Sequence, residues 1–337
     1  MRRLLTALAA ACLAGTALVA TAGPAAAAVT FPAREVKAPP GGTQSVIELG
    51  SVPLTMTATQ TAYVHSTLRV NNASSRTLID NEVRCTGPNG WKKNVVMGQN
   101  VLAATPDNPA NLKDINVTTR FLVHPGAAGT VTCTTYLRTA SLAATSSPVQ
   151  LVGGSMRFAD ASVANTTTGV PIQADDGDDV SRGRVIALNS TATPVREPSM
   201  PLFDTAPVTG LSVFGDMELM ACYPEPAGYD CPSNSVDVRV TLFVNQWKRD
   251  GTLCKTDSTT VSTTVRRDVH HQVVPLNLLF PAATGGDCVP RFNFYVKTDW
   301  LRGSTAAVQM AAGGLTDTTG STTTHAAVMS HAFAVAY

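Results

Sequence analysis

Alternating apolar and polar residues give the clearest structural signal in the chain, between positions 236 and 256. Every second residue from Val236 to Val244 is aliphatic, and the residues between them are polar except for Phe243. A period of two predicts a β-strand with one face on a core. The following segment, 248–251, ends in Asp-Gly, which favours a tight hairpin turn. A returning strand is therefore predicted over 252–256.

The first half of the chain repeats this plan. The alternation over 64–70 predicts a strand, 71–76 a turn and 78–85 the returning strand. Two further strand pairs are predicted, each joined by a proline-led turn, and each half is expected to end on a strand. These ranges are 115–124 with 130–138, 272–280 with 291–298, and the terminal strands 184–189 and 332–337. The only helical candidate, 306–312, resembles the strand-like segment 149–152, which argues against a helix.

Many short strands separated by Gly, Pro and Asn predict an all-β protein. Each half is expected to form an antiparallel β-sandwich of immunoglobulin-like (Ig-like) type, meaning two packed antiparallel sheets. Three matches between the halves indicate an internal duplication. They pair 32–35 with 194–197, 50–58 with 215–222, and 149–154 with 308–314. The predicted units are 1–28, a leader; 29–190, the first sandwich; and 191–337, the second.

The leader has the features of a secretory signal peptide. Arg2 and Arg3 precede an apolar run over 4–20, and four alanines end the segment at Ala28. The run is short and rich in alanine, so a membrane anchor is not predicted. We therefore expect a secreted, extracellular protein, and the composition is typical of a bacterial one.

Six cysteines follow the leader, an even number in an exported chain, which predicts three disulfides. Their order in the two halves predicts one bridge in each half and a third between the remaining two. The predicted bonds are Cys85–Cys133, Cys254–Cys288 and Cys222–Cys231. A zinc site is not predicted, because no cysteine or histidine pair has ligand spacing.

Charge and motifs argue against several functions. The formal net charge is +1 and only 15% of residues are charged, so nothing attracts nucleic acid. No serine-hydrolase elbow is present, and neither an enzyme activity nor a cofactor is predicted. The histidines are assigned to solvent-facing strand positions, with neighbouring His270 and His271 on opposite faces. The acidic run 175–179 could bind calcium, although a solvated turn is the simpler explanation and no metal site is predicted.

Aromatic residues beside turns are the first binding candidates. Trp91, Trp247 and Trp300 all adjoin predicted turns, where a sandwich presents its binding loops. A tryptophan there can stack on a sugar ring or anchor a protein interface, or it can cover the end of the core.

A proline-containing loop closed by a disulfide is the second candidate. The segment 222–231 is an insertion relative to the first half, and its cysteines are predicted to pair. A stiffened loop loses little entropy on binding. Its side chains suited to recognition are Tyr223, Glu225, Tyr229 and Asp230.

These features predict a secreted, non-catalytic binding module. Protein–protein interaction or adhesion, with an extracellular protein partner and within a larger secreted assembly, is the first hypothesis. A polysaccharide or cell-wall binding protein is the alternative, followed by a secreted hydrolase or a protease inhibitor. The sandwich fold itself does not select among these.

Overall fold

The computed structural model describes residues 28–159, 164–175, 183–222, 231–317 and 324–337. Those residues form an almost entirely β protein with one short α-helix, α1 (Ala110–Lys113), and a 3₁₀ turn, Pro88–Gly90. The strands up to position 190 are β1 (Ala28–Phe31), β2 (Arg34–Ala38), β3 (Ser45–Met56), β4 (Ala62–Asn71), β5 (Thr77–Thr86), β6 (Lys92–Val101), β7 (Asp114–Val123), β8 (Gly129–Ser141), β9 (Ser147–Ala159), β10 (Gln173–Ala174) and β11 (Arg184–Leu188).

The strands after position 190 are longer on average. They are β12 (Ser199–Asp204), β13 (Gly210–Ala221), β14 (Ser235–Lys248), β15 (Leu253–Arg266), β16 (His271–Pro281), β17 (Cys288–Gly303), β18 (Ala306–Thr316), β19 (Thr324–Val328) and β20 (His331–Ala336). The segment 306–312 is thus part of a strand, as its resemblance to 149–152 suggested.

Three sheets contain these strands. Sheet I has the order β1-β9-β4-β7, with β2 also on β9, and sheet III has the order β12-β17-β14-β15. Sheet II runs through both halves in the order β10-β20-β13-β18-β19-β6-β5-β8-β3, with β11 on β18 and β16 on β13. Its halves meet at one parallel bridge, Val328 with Val95, and the other strand pairs in the three sheets are antiparallel.

Two cores lie between these layers. The first is formed by inward side chains of sheet I and of β3, β5, β6 and β8 from sheet II. The second lies between sheet III and β13, β16, β18 and β20 of sheet II. Each core is therefore enclosed by two sheets, the arrangement of a β-sandwich. The domain boundary at 190 stays a prediction. Two strands that precede it, β10 and β11, pair with β20 and β18, which follow it.

The alternation predicted strands better than strand partners. The β14–β15 hairpin is confirmed, with Val240 opposite Val261. The first-half hairpin is wrong, because β4 lies in sheet I and β5 in sheet II. The two later pairs are also wrong, since β7 and β8, and likewise β16 and β17, lie in different sheets. A period of two shows which side chains face a core, but a turn can lead either to the neighbouring strand or across the sandwich.

All three predicted disulfides are present. Cys85 and Cys133 face each other on neighbouring strands β5 and β8. Cys254 and Cys288 instead join β15 to β17 at one end of β14, which lies between them. These two bonds close loops of 48 and 34 residues. In the chain-entropy model each stabilises the folded protein by about 4 kcal/mol, because it restricts the unfolded chain.

Candidate functional site

The structure separates the three predicted tryptophans. All three are half-buried. Trp91 packs against the first core and Trp300 against the second, where its Nε1 donates to the Ser304 carbonyl at 2.9 Å. Trp247 lies on the other side of its sheet and donates from Nε1 to Asn293 Oδ1 at 2.7 Å. It is therefore the tryptophan best placed to meet a ligand.

The residues of the predicted loop, Tyr223, Glu225, Tyr229 and Asp230, lie outside the described residues. Its anchors are described: Cys222 is buried and bonded to Cys231. Of the acidic run, only Asp175 is described, and its carboxylate accepts from Lys93 Nζ at 2.7 Å. No group of three or more metal-ligating side chains occurs within the described parts of the chain.

An aromatic and amide surface surrounds Trp247. We call Phe243, Asn245, Trp247, Asn293 and Tyr295 the outer face of sheet III. The strand period places them there, because the alternate residues of β14 and β17 fill the second core. Phe243 is directly opposite Tyr295, and Asn245 is opposite Asn293. These five side chains are half-buried.

Contacts within the outer face hold its side chains in place. The rings of Phe243 and Tyr295 stack with centroids 5.1 Å apart and planes 20° apart. Asn293 Oδ1 also accepts from Asn245 Nδ2 at 3.3 Å, and Asn245 Oδ1 accepts from the Thr256 hydroxyl at 2.6 Å. Fixed aromatic rings beside fixed amides can bind a ligand that has apolar surface and hydroxyl groups.

Sequence reasoning missed Phe243 and Tyr295, although a signal was present. Phe243 occupies a polar position in the alternation of β14, and Tyr295 occupies the outward position between Phe294 and Val296. A large aromatic residue at an outward position is informative, because a solvated strand face usually carries polar residues.

An ion-pair network borders the outer face. The Asp299 carboxylate accepts from Arg239 Nη2 at 3.1 Å and lies 2.9 Å from Lys297 Nζ. Partial burial would raise the pKa of Asp299, yet these two cations hold it below its ordinary value. The side chain therefore stays ionised and keeps both cations in place at neutral pH.

A second polar cluster lies between the two halves and is largely buried. The Glu82 carboxylate on β5 accepts hydrogen bonds from Arg84 Nε and Nη2, both at 2.9 Å, and from Arg138 Nη1 at 3.2 Å. His325 Nε2 lies 2.6 Å from the same carboxylate. The side chains of Glu82 and Arg138 are 0% exposed. Burial raises the pKa of Glu82, but these hydrogen bonds and cationic charges lower it to about 2. Glu82 is thus a buried carboxylate held charged by its neighbours.

Two further carboxyl groups, Asp80 and Glu218, approach each other over Gly98. A Cβ at Gly98 would collide with Asp80 and lie 3.3 Å from Glu218 Oε1. Burial raises the pKa of Glu218 to about 8, opposed by the Gly98 N–H that donates to it at 2.7 Å. Burial and the nearby Glu218 likewise raise the pKa of Asp80. His271 Nδ1 lies 2.8 Å from Glu218 Oε1, within proton-sharing distance.

A buried ion pair also joins the halves. Arg120 on β7 donates from Nε and Nη2 to Asp216 on β13 at 2.8–3.1 Å, and both side chains are at most 8% exposed. His331 is fully buried beside them, 3.8 Å from Asp216. The predicted solvent-facing position of His331 is therefore wrong, since the first half covers its strand.

The prediction for His270 and His271 is also wrong. Their rings are in contact, with centroids 4.7 Å apart, because His270 has a φ of 63° and so departs from strand geometry. Two adjacent side chains point to opposite faces only where both residues are extended.

Comparisons with known proteins do not place this chain in a family. No family model and no curated protein matches it. Among solved structures, it is similar to the tandem CBM22 domains of Paenibacillus barcinonensis Xyn10C, with 13% identity over 77% of this chain and 81% of that one, and a TM-score of 0.22. It is also similar to the structure of infectious bursal disease virus Gt strain, with 10% identity, coverage of 93% and 74%, and a TM-score of 0.30.

A third similarity is to the insecticidal delta-endotoxin Cry8Ea1 of Bacillus thuringiensis, with 9% identity over 93% of this chain and 53% of that one, and a TM-score of 0.24. TM-scores this low establish neither a shared fold nor a shared activity. Within the described residues, no helix is long and apolar enough to cross a membrane.

Proposed function

We propose that this protein is a secreted, non-catalytic binding module that binds polysaccharide through the outer face of sheet III. The supporting observation is the hydrogen-bonded set Trp247, Asn293 and Asn245 beside the stacked rings of Phe243 and Tyr295. Sugar rings present apolar C–H surface and hydroxyl groups together, which match aromatic rings flanked by amides. Because those contacts already fix the side chains, little conformational entropy is lost on binding.

The positions of the perturbed carboxyl groups support a non-catalytic role. Glu82 and Glu218 are fully buried, and Asp80 is 6% exposed. A general acid or base must come within hydrogen-bonding distance of its substrate, about 2.6–3.2 Å. Side chains enclosed between the two halves do not meet that condition, so we assign their unusual pKa values to the packing of the halves.

Substitution of Trp247 tests the proposed polysaccharide site. We expect the mature chain to bind at least one of insoluble cellulose, chitin, xylan or peptidoglycan in a pull-down assay. Trp247→Ala should weaken that binding by about tenfold or more, as for a central aromatic anchor worth about 1.4 kcal/mol or more. Depletion isotherms at several protein concentrations give the affinity, and circular dichroism checks the fold.

Leu279→Ala is the matched control, since Leu279 is 65% exposed on β16, away from sheet III. It should bind like the wild type. Equal binding by Trp247→Ala and wild type, or no retention of the wild type on any of the four materials, would reject the polysaccharide site.

A protein partner bound by the loop 222–231 is the second candidate. The observation that favours it is the Cys222–Cys231 bond, which constrains this segment. Adhesion, membership of a larger assembly and protease inhibition are forms of this proposal. The double variant Tyr223→Ala/Tyr229→Ala should lose a partner captured from culture supernatant but keep polysaccharide binding. Retention of that partner would remove the loop from consideration.

We further propose that the halves are duplicated Ig-like sandwiches and that the leader directs bacterial secretion. Two of the three matched segment pairs support duplication: 32–35 and 194–197 both lie at the edge of an outer sheet, and β3 and β13 both lie in sheet II. The third pair differs, because β9 is in sheet I and β18 in sheet II. Three disulfides agree with an oxidising compartment. N-terminal sequencing of exported protein would test the cleavage near Ala28.

A further inference from the structure

A cleft with three arginines lies where the two halves meet, at the opposite end of sheet III from Trp247. It has a volume of about 450 Å³ and is lined by Arg76, Asn234, Arg266, Arg267 and Asp268. Arg76 belongs to the connection between β4 and β5, whereas Arg266 ends β15, Arg267 and Asp268 follow it, and Asn234 precedes β14. The cleft therefore exists only when the two halves are packed together.

The charges around the cleft are unequal. The described residues that line the cleft carry three guanidinium groups and one carboxylate. Arg266 uses Nε and Nη2 for Asp268, with Nε at 2.8 Å. An arginine has five N–H donors, so this ion pair employs only part of the guanidinium. Arg267 and Asp268 are exposed, and Arg266 and Arg76 are half-buried.

Hydrogen bonds to backbone carbonyl groups hold the turn that carries Arg266 and Arg267. Arg76 Nη1 donates to the carbonyl oxygens of Arg267 and Asp268, at 3.2 and 3.5 Å. The Arg267 N–H donates to the Asn234 carbonyl at 2.7 Å, and the Val269 N–H donates to the Arg266 carbonyl at 3.1 Å. Contacts from both halves thus hold the backbone of the turn after β15, so that less of the turn has to be ordered when a ligand binds.

We propose that this cleft binds an oxyanion of the phosphate type, either free phosphate or the phosphate group of a polymer. Planar guanidinium groups pair with phosphate through two parallel N–H···O bonds, and several arginines can share its oxygens. The volume lies within the range of small-ligand sites, which leaves room for substituents on the phosphate. Asn234 also lines the cleft.

Calorimetric titration of the full mature chain with inorganic phosphate, in a low-salt chloride buffer, tests this proposal. Wild type should bind phosphate, and Arg267→Ala should weaken binding at least fivefold. Arg291→Ala is the control, because Arg291 pairs with Asp204 at 2.7 Å near the start of β17, at the other end of sheet III from Arg266. Asp268→Asn should strengthen binding, since it removes the carboxylate that competes for Arg266.

Poly(glycerol phosphate) in a parallel titration distinguishes the source of the ligand. Tighter binding per phosphate to the polymer identifies a polymeric ligand, and tighter binding to inorganic phosphate identifies the free ion. If neither probe gives a binding heat at about 20 mM, the cleft has no appreciable affinity for phosphate and the proposal is overturned. Equal losses in Arg267→Ala and Arg291→Ala overturn it as well, because attraction would then depend on overall charge alone. Polysaccharide binding through Trp247 is measured separately and does not affect either outcome.

Discussion

Glu82→Gln should lower the free energy of unfolding by about 3–5 kcal/mol at pH 7, the cost of removing one member of a buried ion pair. The amide keeps the shape of the side chain but removes its charge. Arg138, whose side chain is 0% exposed, would then remain charged without its carboxylate, and Arg84 would lose two charge-assisted hydrogen bonds. Urea denaturation followed by fluorescence and circular dichroism measures the change.

Asp237→Asn is the matched control for this substitution. It also replaces a carboxylate by an amide within an ion pair on a strand, but its partner Arg302 is 84% exposed. Exposed pairs contribute about 0–1 kcal/mol, so the control should change stability little. Similar losses in the two variants would show that the packing of the two halves does not enclose Glu82 as described.

Glu218→Gln should change the pH dependence of stability between about pH 5 and pH 8. The pKa of Glu218 is raised to about 8 in the folded protein, from an ordinary value of 4.5. The folded state therefore binds the proton more tightly than the unfolded state. Its contribution to stability is complete below pH 4.5 and is lost as pH rises through 8. At about 1.4 kcal/mol for each pH unit, the loss is on the order of 5 kcal/mol.

The variant should therefore gain stability relative to wild type as the pH rises from 5 to 8. Glutamine is neutral throughout this range, and it can still accept the Gly98 N–H. The difference between the two unfolding curves cancels the titration of other groups, including His65, whose pKa is lowered chiefly by burial. Parallel curves for wild type and variant would mean that Glu218 is charged over the whole range.

Alternation along the chain predicted the strands well and their partners poorly. The β14–β15 hairpin follows from a long alternation and an Asp-Gly turn. The connection after β4 looks similar in sequence, yet it crosses from sheet I to sheet II. The disulfides were predictable from cysteine order, although Cys85–Cys133 and Cys254–Cys288 occupy different places in their sandwiches.

The buried charges could not be predicted, for a physical reason. On β5, Ile79 and Val83 fill the first core, so the alternation assigns Asp80 and Glu82 to a solvated face. They are buried because the second half covers that face. One strand's pattern reports its own two sides but not a surface contributed by residues more than 100 positions later, such as Glu218 and His325. Trp247 could be predicted as a binding candidate because it adjoins a turn. Phe243 could be predicted only because it is an aromatic residue at a polar position of the alternation.

The continuity of sheet II has a consequence for avidity. Two sites joined by a flexible linker sample many separations, and their effective concentration falls as the linker lengthens. Here the bridge from Val95 to Val328 and the buried pair Arg120 and Asp216 hold the two halves in one arrangement. The distance between the outer face of sheet III and the arginine cleft, the two proposed binding sites, is then constant. Among polymers carrying both kinds of group, those whose repeat matches that distance gain most from binding twice.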